Sequence, residues 1–282
     1  MLKPIRRVSD VRMLVSTWQS KAFKVGLVAT MGALHRGHLS LINRAIDECD
    51  QLIVSIFVNP RQFSNNEDLE RYPRDENKDL VELEACGVSV VYAPPIHEIY
   101  NNDFVTKVEV GRLSECMCGV ARPQFFSGVA TVVTKLLLQC TPDNAYFGEK
   151  DFQQLLVIKQ LVKDLNIPTK IIGCPVIRED SGLALSSRNT FLDCQQRKIA
   201  PVLFKTLKAA AEKVSAGDNC DDVELWAEKR LKTSGFDAVD YIDVRDEATL
   251  LRFQKLSDIS GNARVFGAAN LGSTRLIDNV PV

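Results

Sequence analysis

Short, continuously apolar runs bounded by polar turns alternate along this chain with stretches whose apolar residues recur at helical spacing. Val11, Leu14, Val15 and Trp18 form one such stripe, with Ser9 or Asp10 placed to cap the helix. Lys24 to Ala29 then reads as a buried strand, and Leu39, Leu41, Ile42, Ala45 and Ile46 carry a helix to about Asp47. Gln51 to Val58 is apolar throughout, as expected for a parallel strand covered on both faces. Strand, helix and strand within about 35 residues make a βαβ unit. The alternation continues with a helix over Asp75 to Ala85, a strand at Val88 to Tyr92 and an extended run at Val105 to Val110. A largely apolar helix at Val129 to Leu138 follows, then a strand at Ala145 to Gly148, a helix at Phe152 to Leu165 and a strand at Lys170 to Gly173. This pattern predicts an α/β fold with a doubly wound, Rossmann-like parallel sheet over residues 1–175.

After Pro175 the pattern changes. Two helical stretches, about Asp193 to Ser215 and Asp221 to Ser234, precede strand-like Val239 to Val244. Ala263 to Ala269 and Thr274 to Ile277 flank the turn Asn270-Leu271-Gly272-Ser273 and form a hairpin. Residues 176–282 therefore read as a smaller α+β domain, expected to close over the site of the first.

The 282 residues include 45% hydrophobic and 25% charged positions, an ordinary globular composition with ample material for a core. The formal net charge of −1 supplies no field to draw in nucleic acid or anionic lipid. No apolar run approaches the roughly 20 residues of a membrane helix. The basic start, from Met1 to Arg7, lacks the apolar stretch of a signal peptide, so the expected location is the cytoplasm. Eight scattered cysteines, of which only Cys116 and Cys118 are close, read as free thiols rather than a zinc site.

Four constellations carry chemistry. The first is Thr30-Met31-Gly32-Ala33-Leu34-His35-Arg36-Gly37-His38, between a strand and a helix start. Unpaired N–H groups and the helix dipole favour phosphate there, and both imidazoles can donate to the same polyphosphate. The second, Gly148-Glu149-Lys150-Asp151, repeats the strand–turn–helix arrangement and adds a lysine, although it is also an ordinary capped helix start. In the third, Leu185-Ser186-Ser187-Arg188-Asn189, two hydroxyls and a guanidinium make a mobile phosphate clamp or a polar linker. The fourth comprises the amides of Asn59, Gln62 and Gln154, suited to hydroxyls and a carboxylate. Taken together they describe one phosphate-rich site at the carboxyl edge of one sheet.

In their order and wording these blocks resemble the pantoate–β-alanine ligase family of the nucleotidyltransferase superfamily, across essentially the whole chain. Thr30 to His38 and Gly182 to Asn189 are superfamily signatures, whereas Phe57 to Phe63 and Phe147 to Gln154 are specific to the ligase. The resemblance implies that Met31, Gly32, Ala33, Leu34, His35, Arg36, Gly37 and His38 hold ATP, with His38 catalytic at the phosphates. Gly148, Glu149, Lys150, Asp151, Ile177, Leu185, Ser186, Ser187 and Arg188 would complete the ATP site, and His35, Lys150 and Arg188 would share the catalytic charge. Gln62 would contact pantoate and β-alanine, Gln154 would contact pantoate, and Asn59 belongs to the same substrate group. One departure stands out: members usually read Arg-Pro-Gly-His-Phe where this chain has Arg122-Pro123-Gln124-Phe125-Phe126.

The implied activity is ATP-dependent condensation of pantoate with β-alanine through a pantoyl adenylate, releasing pyrophosphate and AMP. Mg²⁺ would bridge the phosphates, on carboxylates that the sequence does not single out. A homodimer is the family-based expectation. Other readings are a nucleotidylyltransferase for another small substrate and a nucleotide-binding module without catalysis. Gln62 and the C-terminal domain argue against the first of these.

Overall fold

A computed structural model describes residues 2–63, 69–70 and 72–282. Five strands form a parallel sheet: β1 (Val25–Thr30), β2 (Gln51–Ile56), β3 (Val90–Tyr92), β4 (Asn144–Gly148) and β5 (Lys170–Cys174). Their order is β3-β2-β1-β4-β5, so the chain winds outward from β1, then returns to lay β4 on its other side. The helices are α1 (Val8–Ser20), α2 (Arg36–Glu48), α3 (Glu76–Ala85), α4 (Phe125–Cys140) and α5 (Phe152–Asp164).

Alternation of side chains along the strands sends residues to both faces. Val28, Val54, Val91 and Tyr146 pack with Leu41, Ile42 and Ala45 of α2 and with Leu80 and Leu83 of α3. Leu27 and Ile53 point the other way and are equally buried, and α1 and α4 pack on β1. The doubly wound α/β class read from the sequence is therefore the observed one.

Several local expectations are corrected. Helix α1 begins at Val8, ahead of Ser9 and Asp10, and neither caps it. The Glu98 carboxylate instead accepts from the Val8 N–H at 2.9 Å, so the terminus borrows its acceptor from a distant segment. Val105 to Val110, read as an extended run, joins neither sheet of the described residues, and Val105 is 92% exposed. The stretch from Asp193 to Ser215 is two helices, Cys194–Ile199 and α6 (Val202–Ser215), because Pro201 supplies no N–H to continue the first.

The chain divides into two units, 1–149 with 153–175 and 150–152 with 176–282. In the second unit, α6 and α7 (Cys220–Thr233) pack on an antiparallel sheet of β6 (Ala238–Asp246), β7 (Ala263–Leu271) and β8 (Thr274–Pro281). Leu203, Leu207 and Val214 of α6, Val223 and Leu231 of α7, and Val244 and Val265 of the sheet form its core. Of the eight cysteines, all free, Cys118, Cys140, Cys174 and Cys220 are buried. Burial pushes the Cys140 thiol up to about 12, so it stays protonated.

The departure from the family wording falls on strained backbone. Gln124, the residue before α4, has φ 72° and ψ −8°, the left-handed region where a side chain is disfavoured. Gln124→Gly is expected to stabilise the protein by about 1 kcal/mol, which thermal unfolding would register as a raised Tm.

Candidate active site

Strand register places the two main motifs side by side. Val28 of β1 pairs with Tyr146 of β4, so Thr30 and Gly148, each two residues further on, end adjacent strands. Here the direction of winding reverses, the position at which open α/β sheets take ligands.

After β1 the chain turns sharply through two residues of positive φ, Gly32 (77°) and Ala33 (51°). Thr30 Oγ1 donates to the Ser55 carbonyl at 2.8 Å and accepts from the Gly32 N–H at 3.2 Å. Asp79 of α3, only 3% exposed, accepts from the N–H groups of Ala33 and Leu34, both at 2.9 Å. Burial raises the Asp79 pKa from its ordinary value, and these two hydrogen bonds oppose the rise. A Cβ on residue 32 would lie 2.8 Å from Asp79 Oδ2, so glycine is required there by space as well as by φ.

His35 is the N-cap of α2, and its Nδ1 accepts from the Gly37 N–H at 3.1 Å. In a neutral ring that acceptor role leaves the proton on Nε2, a donor. The His38 ring lies one turn along, with centroids 4.0 Å apart and planes tilted by 32°. Arg36, between them, is exposed.

The loop after β2 presents Gln62 from a short 3₁₀ turn, Pro60–Gln62. Asn59 is 1% exposed, and its amide is engaged inside the protein. Its Nδ2 donates to Gln62 Oε1 at 3.0 Å and to the Gly128 carbonyl at 3.1 Å. Its Oδ1 accepts from the Tyr100 hydroxyl at 2.8 Å and from the Arg61 N–H at 3.3 Å. Burial pushes Tyr100 up to about 12, which keeps the phenol a donor. Asn59 thus acts on the turn that carries Gln62. The Gln62 amide reaches Met31 Sδ at 3.1 Å, so the loops after β1 and β2 meet. Arg122 Nη2 donates to the Gln62 carbonyl at 3.0 Å, and its guanidinium stacks 3.8 Å from the Phe125 ring centroid. The residue that replaces the family histidine therefore supports the Gln62 turn.

Along α5, Gln153 is buried and ties down a preceding loop: Nε2 donates to the Leu113 and Cys116 carbonyls, and Oε1 accepts from the Cys118 N–H. Its neighbour Gln154 is partly exposed.

In the second unit, Lys150 Nζ lies 3.7 Å from Asp151 Oδ2. The Leu185 N–H donates to the Ile177 carbonyl at 2.9 Å, closing a hairpin across Arg178 and Ala184. The segment expected as a mobile clamp is a 3₁₀ helix, Ser187–Phe191, capped by Ser186, whose Oγ accepts from the Arg188 N–H at 3.3 Å. Asn189, 4% exposed, anchors it by donating to the Ala184 carbonyl at 3.0 Å.

Sequence reasoning missed Asp79. In the run Asp75 to Asp79 it reads as first-turn charge on a helix, and nothing local points to N–H partners more than 40 residues upstream. Asp79→Asn would set an amide NH₂ against one of those N–H groups, removing one hydrogen bond at a cost of about 2 kcal/mol. We expect KM for the nucleotide that the resemblance implies to rise at least tenfold, as read from initial rates.

The fold and this turn define a doubly wound nucleotide-binding α/β protein. The sequence model of the pantoate-beta-alanine ligase family matches residues 3–281, and the chain belongs to that family. It is 48% identical over 277 residues to the pantothenate synthetase of Rhodospirillum rubrum, covering 98% of both chains. The crystal structure of pantothenate synthetase from Thermus thermophilus is 40% identical, with a TM-score of 0.90 and 99% of each chain covered. The Francisella tularensis pantoate-beta-alanine ligase, solved in complex with beta-gamma ATP and beta-alanine, is 37% identical with a TM-score of 0.82, covering 100% of this chain and 98% of its own.

Proposed function

We propose that this chain condenses pantoate with β-alanine at the expense of ATP. The observation that carries the reading is a family match across nearly the full length, together with the histidine turn at the switch point of the sheet. A carboxylate is a poor electrophile, and activation removes that obstacle. A pantoate carboxylate oxygen attacks the α-phosphorus of ATP, the α–β phosphoanhydride bond breaks, and pyrophosphate leaves. The β-alanine amine then attacks the acyl carbon of pantoyl adenylate, loses a proton, and AMP departs with the carboxylate oxygen. No covalent bond to the protein is needed, so rate comes from positioning and from stabilising charge.

Residues Met31 to His38, Gly148 to Asp151, Ile177 and Leu185 to Arg188 are assigned to ATP. Within that set His38, His35, Lys150 and Arg188 stabilise the transferring phosphoryl group. Gln62 and Gln154 are assigned to the organic substrates, with Asn59 holding the Gln62 turn. Among the described residues no cluster of three His, Cys, Asp or Glu could cage a metal ion. Mg²⁺ would come in on the nucleotide, and Asp151, a carboxylate beside Lys150, is a residue that would help hold it. Bound there, the ion would neutralise phosphate charge. A homodimer in the cytoplasm completes the proposal; among the described residues no helix is long and apolar enough to cross a membrane.

The deciding experiment is pantoate-dependent exchange of radiolabelled pyrophosphate into ATP, followed by β-alanine and assay of AMP and pantothenate. Exchange without pantothenate would leave a nucleotidylyltransferase, and ATP binding without exchange would leave a binding module.

A further inference from the structure

Two adjacent residues near the end of β8 reach separate parts of the second unit. Asn279, 3% exposed, donates from Nδ2 to the Lys150 carbonyl at 3.0 Å. Its Oδ1 accepts from Arg264 Nη1 at 2.6 Å. Arg264 is itself fixed by Glu247 at 3.3 Å and by the Phe152 ring, whose centroid is 3.9 Å from the guanidinium carbon. The preceding residue, Asp278, is 5% exposed and holds Arg178 through two hydrogen bonds of 2.5 and 2.9 Å. Arg178 also donates to the Gly182 carbonyl at 3.1 Å, stacks on Phe204 at 3.8 Å and pairs with Ala184 at the root of the hairpin that leads to Ser186 and Arg188. Asp278 Oδ1 further accepts from the Asn279 N–H at 2.8 Å. Neither residue belongs to any motif read for phosphate, yet each contacts the backbone or base of one.

We propose that Asp278 and Asn279 are paired positioning residues, Asn279 for Lys150 and Asp278 for the Ser186–Arg188 turn, setting both groups of phosphate donors from one rigid strand. The proposal rests on the assignment of Lys150 and Arg188 to ATP. A bidentate carboxylate–guanidinium pair and a buried amide with both ends engaged are stiff connections. Donors held that way reach the transition state already oriented.

The test uses full-length protein and pantoate-dependent pyrophosphate exchange. Asn279→Asp keeps the acceptor for Arg264 but loses the N–H to Lys150, and Asp278→Asn loses the charge on Arg178. Each is expected to lower kcat about tenfold with KM for pantoate unchanged, and each loss should vanish only in its own background. Asn279→Asp should add nothing to Lys150→Ala yet act in full on Arg188→Ala, and Asp278→Asn should show the reverse. Two variants keep the test decisive if one folds poorly. Equal losses in both backgrounds, or full activity of both single variants, would overturn the proposal while wild-type exchange upholds the activity. No exchange by the wild type would overturn the activity and this proposal with it.

Discussion

Replacing His38 with alanine is expected to reduce pantoate-dependent pyrophosphate exchange by about 1000-fold, the upper range for loss of one preorganised donor at a developing charge. The position explains the size of the effect. His38 lies in the first turn of α2, where the helix dipole favours anions. Its ring sits 4.0 Å from that of His35, which is locked as the N-cap. A short side chain there removes the donor without disturbing the turn, which is held by Asp79, Thr30 and His35. The variant should therefore unfold at nearly the wild-type temperature. His97, the third histidine, is exposed on the short helix Ile96–Ile99, and His97→Ala serves as the control that keeps full exchange. Near-normal exchange by His38→Ala would remove this residue from the chemistry.

The sheet was legible because burial on both faces writes itself as uninterrupted apolar runs. Gln51 to Val58 and Lys24 to Ala29 fall on β2 and β1 to within about two residues of their ends, the usual uncertainty at a terminus. What the pattern missed are features settled by partners far along the chain. Val105 to Val110 has the composition of a strand, but it pairs with none of the described strands, and pairing is decided by where the rest of the chain lies. Glu98 supplies the cap that Ser9 and Asp10 were expected to give, across 90 residues of sequence. The motif residues His35, His38, Gln62 and Lys150 stand out in the sequence because residue types suited to phosphate and carboxylate are recognisable in a strand–turn–helix setting. Their supports Asp79, Arg122 and Asn279 carry no local signal, since the backbone groups they hold exist at every position. Asn59 lies between these cases. The sequence marks it as an amide beside Gln62, while only the structure shows both ends of that amide engaged.

Gly128→Ala is expected to damage both the stability of the first unit and its activity. In a helix this change ordinarily stabilises by up to about 1 kcal/mol. Here the added Cβ would lie 2.2 Å from the Arg61 carbonyl oxygen, 2.6 Å from its carbon and 2.9 Å from the Gln62 nitrogen. All three are backbone atoms of the 3₁₀ turn, so no side chain can swing aside and the turn itself must retreat. Retreat breaks the hydrogen bond from Asn59 to the Gly128 carbonyl and shifts Gln62 away from Met31. Overpacking of this kind costs about 1–3 kcal/mol, seen as a lower Tm. Displacing a substrate-orienting amide by about 1 Å costs roughly 100-fold in rate. Because the turn after β1, proposed for ATP, is held separately by Asp79, the loss should appear in kcat and in KM for pantoate, with ATP affinity preserved. Gly111→Ala, whose Cβ would meet only Glu115 Oε1 at an ordinary 3.4 Å, should change neither stability nor rate. Steady-state kinetics and thermal unfolding of the two variants, run in parallel, separate the close approach of α4 to the Gln62 turn from any general effect of replacing glycine.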